Sequence, residues 1–383
     1  MASDARPAGK DGMGHTTTWR GRDSARVVAA GLLMGLAALA PARASTPGPG
    51  AFQPVGPMLA SRFYPTLTLL PDDSVLIAGG VLTSPATERF DPKTNLFVAD
   101  SPMSVARTEH AAAPLPDGRV LVLGGFDDKY NALASAEAYD PVKRVFTRVG
   151  DMAQPRWRAT ATPLLDGRVL VVGGYGDSQG TALATAELFD PATGKFQPTG
   201  SLSTPQYGHA AVRLSDGRVA IVGNITHPVE IYDPATGTFS THGETVIARA
   251  TPAALPLPGG KLLLAGGFTT GNVFLDSIEI DDPATGQAAI TGHFSTPRAT
   301  VAGVTLADGR ILAAGGLIDS KLDATAEAEL VDPVTGQAFP AASMNGPRGE
   351  AVAILLRDGR ALFVAGFKAI GVAPTYSAEV YVP

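Results

Sequence analysis

The 383-residue sequence contains no cysteine. That absence excludes disulfide scaffolds, thiolate zinc sites, cysteine nucleophiles and iron–sulfur ligation. Charge is sparse: 17% of residues are charged, and the net charge is −6. Such a balance gives no general attraction to nucleic acid or to an anionic membrane. The apolar run at residues 27–40 has 14 residues, whereas a membrane-spanning helix wants about 20. Breakers, by contrast, are abundant: 44 glycines and 31 prolines. They fall too often for long helices. Yet 45% of residues are hydrophobic, too many for a disordered chain.

Residues 1–44 read as an address. Arg6, Lys10, Arg20, Arg22 and Arg26 precede the apolar run, Pro41 breaks it, and Ala42-Arg43-Ala44 follows. Basic region, short apolar run and small-residue site are the parts of a secretory signal peptide. The expectation is cleavage after Ala44 and a mature chain, 45–383, that is secreted or periplasmic. No integral span remains after cleavage.

The mature chain is one unit repeated seven times. Gly79-Gly80, Gly124-Gly125, Gly173-Gly174, Gly266-Gly267 and Gly315-Gly316 each follow an apolar run; Gly223-Asn224 and Ala365-Gly366 fall in phase. Asp91, Asp140, Asp190, Asp233, Asp282 and Asp332 are each followed by proline at a matching spacing. Each unit reads as four short strands, a to d. An Asp-Gly-Arg turn at Asp117, Asp166, Asp216, Asp308 or Asp358 joins a to b. Asp-Gly between apolar runs is a strong hairpin signal, because glycine takes the positive φ. Strand b, such as VLVLGG, is apolar throughout and so buried on both faces. Strand d is expected to open on Phe97, Phe146, Phe196, Phe239 or Phe339. The fold class that follows is all-β: a seven-bladed β-propeller of four-stranded antiparallel blades. The segment at Phe52 resembles a strand d, and residues 377–382 resemble a strand c. An N-terminal strand completing the last blade therefore closes the ring.

These residues resemble the kelch-repeat family. The Gly-Gly after strand b, the aromatic in strand c (Tyr139, Phe189, Tyr232, Tyr381) and the aromatic opening strand d carry the resemblance over the whole mature chain. Phenylalanine stands where that family often has tryptophan, and Ala288 replaces it in unit five. The resemblance implies a fold that hosts unrelated functions, from copper oxidases and sugar mutarotases to protein-binding modules. The family's copper oxidases need a tyrosine crosslinked to cysteine, which this chain lacks.

Two ionic positions repeat. Arg62, Arg107, Arg156, Arg249, Arg298 and Arg348 occupy one, with Gln206 in unit four. Glu88, Glu137, Glu187, Glu230, Glu279, Glu329 and Glu379 occupy the other. A residue present in nearly every blade holds the scaffold by arginine–glutamate pairing. Function belongs where the units differ. The two residues after each repeat arginine vary most, and with the b–c loops they share one face. The candidate ligand-binding residues at the channel mouth are Tyr64, Arg107, Glu109, Trp157, Arg158, Tyr207 and Glu350. Aromatics with a few charges suit a glycan or protein ligand. Asp127, Asp128, Lys129, Tyr130, Tyr175, Asp177, Asp319 and Lys321 extend that face through the loops.

The histidines of the mature chain, His110, His209, His227, His242 and His293, show no metal-ligand spacing. No metal and no cofactor are expected. The primary expectation is a monomeric binding scaffold. The alternative is a mutarotase- or epimerase-like enzyme using Glu109, Glu350 and Arg158.

Overall fold

A computed structural model describes residues 50–223, 228–369 and 374–383. The leader at 1–44 and His227 lie outside the described residues. Seven four-stranded antiparallel sheets form the body. Blade two shows the pattern: strand a is Ala111–Pro114, b is Val120–Leu123, c is Ala136–Asp140 and d is Val145–Arg148. The innermost strands of successive blades touch in chain order. Val352–Leu355 of blade seven then returns to Thr66–Leu69 of blade one, which makes the arrangement a ring. Blade seven takes its outer strand from the other end of the chain: Ala51–Pro54 pairs with Ala378–Val382, with Phe52 opposite Tyr381. Phe52 packs its ring on Phe363 and Tyr381 at 5.3 and 5.1 Å.

The core lies in the seams between blades. Leu121 and Leu123 of blade two, for example, pack with Val169, Val171 and Phe189 of blade three. Strand b is fully buried in each blade, consistent with its uninterrupted apolar sequence. The paired glycines stitch the seams. In blade two, Gly124 and Gly125 have φ of 65° and 88°. The Gly125 N–H bonds the carbonyl of Arg156 in the next blade at 2.8 Å. A Cβ on Gly124 would sit 2.2 Å from that same oxygen, so only glycine fits.

Cross-strand aromatic pairs join strands c and d. Phe90–Phe97, Tyr139–Phe146, Phe189–Phe196 and Tyr232–Phe239 have centroids 4.8–5.0 Å apart. Blade six corrects one expectation. Its strand d pairs Ala338 with Val331, and Phe339 comes one residue later, 56% exposed. A one-residue offset in a strand turns the side chain to the other face. Blade five lacks the pair altogether, having Asp281 opposite Ala288. The gap leaves only a shallow dent on the side of blade four, lined by Asp281, His242 and Glu244.

Candidate functional site

The repeat arginines are anchors inside the blades. Arg62, Arg107, Arg156, Arg249, Arg298 and Arg348 are all buried. Arg107 binds Glu137 at 3.1 Å and donates to the carbonyls of Gly124 and Ser135 at 2.8 and 3.0 Å. Arg249 does the same with Glu279 at 2.7 Å. Glu137 also accepts the backbone N–H of Ser104 at 2.8 Å, pinning the segment that leads to the arginine. In blade four Gln206 takes the arginine's place and binds Glu230 at 3.2 Å. Burial pulls Arg107 below the usual arginine range, and Glu137 opposes that shift. Arg107 is thus withdrawn from the binding surface: it is fully buried and committed to its own blade.

The second residue after each anchor forms a ring at the channel mouth. Tyr64, Glu109, Arg158, Gly208, Thr251, Thr300 and Glu350 all have φ between 52° and 64°. This left-handed conformation costs energy in every residue but glycine, most of all in β-branched threonine. Backbone bonds link the ring from blade to blade. Arg158 N–H reaches the Glu109 carbonyl at 2.9 Å, and Thr251 and Thr300 N–H reach Gly208 and Thr251 at 3.3 Å. Glu109 and Arg158 add a side-chain ion pair across the seam between blades two and three. Glu350 is buried, and Tyr64 is half-buried.

In blades two, three, five, six and seven the first residue after the anchor faces the residue that follows the glycine pair or its counterpart. Trp157 bridges Tyr175, and Thr108 bridges Phe126. The result is a band of rings over blades two to four. Tyr130 stacks on Phe126 at 5.5 Å, and Phe126 meets the Trp157 ring edge-on at 5.6 Å. Trp157 lies 4.4 Å from Tyr175, which stacks on Tyr207 at 4.3 Å. Trp157 donates its indole N–H to the Asp177 carbonyl at 2.9 Å, and the Arg158 guanidinium sits 5.1 Å from its ring centre. Trp157 and Tyr207 were expected from sequence; Phe126 was not. Its signal is its place after Gly124-Gly125, which Tyr175 shares.

The loops beside the band are held by their own aspartates. Asp127 accepts the N–H of Lys129 and of Asn131, each at 2.9 Å. Asp177 and Asp319 repeat the device in blades three and six. These bonds hold Asp127 and Asp177 below the ordinary carboxylate range. Tyr130, on the first of these loops, is 51% exposed.

None of the expected site residues lines the central channel. Its wall is made of small residues of the inner strands, together with Thr251 and Thr300 of the ring. His110 and His209 are buried behind it and pair with Thr66 and Thr160 of the neighbouring blade, each at 3.0 Å. Burial drops their imidazoles to about 3 and about 4, so both are neutral at ordinary pH. Among the described residues, no group of three or more His, Cys, Asp or Glu is placed to hold a metal ion. No described helix is long and apolar enough to cross a membrane.

Comparison with known proteins agrees with this architecture. Residues 107–153 and 156–203 match the Kelch motif, one blade each. No curated protein matches the chain. A solved structure of a fungal alcohol oxidase of the AA5 family in complex with copper shares the fold, with a TM-score of 0.73. It is 17% identical, and the match covers 88% of this chain and 77% of that one.

Proposed function

Starting from a chain that is a kelch-repeat β-propeller, we propose that it is a binding scaffold for a protein partner. The aromatic band on the mouth face carries the reading. Five rings in contact run from Tyr130 to Tyr207, and the outermost stands half in solvent. Tyrosine and tryptophan supply large contact area for little lost conformational freedom, which suits an interface anchor. Aspartate-held loops beside the band offer polar groups for its rim. Glu109, Trp157, Arg158 and Tyr207 belong to this surface or support it, and half-buried Tyr64 extends it around the mouth, whereas Glu350 is buried. Glu109 is spent on Arg158, which leaves the acid–base alternative without its first carboxylate. The pattern in residues 1–44 supports delivery out of the cytoplasm, where the partner, a protein or a glycosylated one, would be met.

The test is affinity capture by the mature chain, with the captured protein then titrated against variants. Tyr130→Ala and Trp157→Ala should each weaken binding by about tenfold or more, with the fold retained. Unchanged affinity in both would remove the band from the interface. A glycan array run in parallel decides whether sugar alone suffices. Fractionation and N-terminal sequencing check the leader.

A further inference from the structure

The repeat glutamates also hold the segments that lead to the anchors, each accepting a backbone N–H there. In blades two, four and six the donor is a serine: Ser104 to Glu137, Ser203 to Glu230 and Ser295 to Glu329. In blade seven it is Asn345, whose N–H reaches Glu379 at 2.8 Å. Gly346 follows, and this is the only Asn-Gly step in the sequence. Asn345 is exposed and lies outside any strand. Among the described residues, the Gly346 N–H has no hydrogen-bond partner. A Cβ on Gly346 would meet nothing within 4 Å, so the glycine stands in open space.

We propose that Asn345 is a site of spontaneous deamidation. The Gly346 nitrogen attacks the side-chain carbonyl carbon of Asn345 and gives up its proton. The bond from that carbon to Nδ2 breaks, and ammonia leaves a five-membered succinimide behind. Water then opens the ring at one of its two carbonyls, giving aspartate or isoaspartate. The sum is amide plus water to carboxylate plus ammonium, with no oxidant or reductant. Asn95, Asn131 and Asn272 are followed by Leu96, Ala132 and Val273, whose side chains crowd the attacking nitrogen. Glycine offers no such shield.

The product falls on a buried carboxylate. Glu379 is 2% exposed. Its Oε1 is held by Arg348 at 3.1 and 2.8 Å. Its Oε2 is held by Asn345, through the N–H and through Nδ2 at 2.5 Å. Deamidation replaces the Nδ2 donor by an ionised carboxylate, which only accepts. Two like charges then face each other. Isoaspartate also lengthens the main chain by one methylene and displaces the N–H. Glu379 stands on the strand that receives the N-terminal strand, opposite Pro54. The modification therefore loosens the blade that closes the ring, and it is independent of the partner proposed for the aromatic band.

The experiment ages the full chain in warm, mildly alkaline buffer. Peptide mass spectrometry follows each asparagine, and enzymatic methylation detects isoaspartate. Conversion at Asn345 is expected ahead of Asn95, Asn131 and Asn272. Gly346→Ala should slow it by about tenfold or more. Asn345→Ser installs the residue of blades two, four and six, and should abolish conversion with the melting temperature retained. Asn345→Asp reproduces the product's charge. It should melt a few degrees below the parent at neutral pH, and the deficit should shrink towards about pH 4, where the new carboxyl takes up a proton. An Asn345 that stays intact in the folded chain overturns the proposal, and conversion in the urea-unfolded chain alone would show that the fold shields it. Equal melting of Asn345→Asp and the parent at neutral pH overturns the link to ring closure.

Discussion

Arg158 crosses the seam between blades two and three to pair with Glu109, and its own backbone N–H bonds the Glu109 carbonyl. Both side chains are largely buried, at 9% and 4% exposure. The two residues are 49 positions apart in sequence, about one repeat. The pair ties neighbouring blades at the mouth.

Removing one partner strands the other. Arg158→Met should cost about 3 kcal/mol in urea denaturation, because Glu109 loses its buried counter-charge. The double variant Arg158→Met/Glu109→Gln should recover much of that loss. A coupling energy near zero in the double-mutant cycle would contradict the pairing.

Blade four carries a natural substitution at the anchor. Gln206 still reaches its glutamate, Glu230, at 3.2 Å. Arg249→Gln should therefore be milder than Arg249→Ala, which leaves Glu279 buried without a donor from that position. The expected cost of the alanine variant is about 3–5 kcal/mol. Equal melting temperatures for the two variants would argue against it.

His110 and His209 make the fold acid-sensitive. Their folded values, about 3 and about 4, lie below the ordinary 6.5, so between these limits the unfolded chain holds more protons. Stability attributable to them is complete above about pH 6.5 and is lost as pH falls towards the folded values. Each contributes a slope of about 1.4 kcal/mol per pH unit within that window. His110→Gln should flatten the acid limb of a stability–pH curve by about that amount.

Asp281 acts in the opposite sense. Burial, then the nearby Glu279, raises its carboxyl to about 8 from the usual 3.8. The folded state holds the extra proton, so stability from this group declines as pH rises from about 4 through about 8. Asp281→Asn removes the ionisation. It should raise the melting temperature at pH 8 and above, by the equivalent of about 1 kcal/mol or more, with no gain near pH 4.

The blades were legible because their punctuation has a local cause. Gly-Gly, Asp-Gly-Arg and Asp-Pro each mark a backbone event within a few residues, and their recurrence identifies the propeller. The role of the repeat arginine followed from the same repetition. Contacts between blades were not legible. Nothing local in Glu109 or Arg158 says that they meet, since the encounter depends on how one blade is rotated against the next. Phe339 shows a related limit. Its spacing fits the strand d aromatic, but a register offset of one residue, invisible in a short strand, sends it outward. The opening of the channel depends on seven side chains compared around a circle, and a linear reading takes them one at a time.

The ring at the mouth is a row of interchangeable sockets. Its backbone angle is the same whether the socket holds tyrosine, glutamate, arginine, glycine or threonine. Main-chain bonds between neighbours and the anchors behind them keep the frame, so the occupant of a socket is free to change. A new specificity in this protein requires no new loop and no refolded blade. It requires an exchange of residue in a place already built, one blade at a time, and the outline of the opening is redrawn with each exchange.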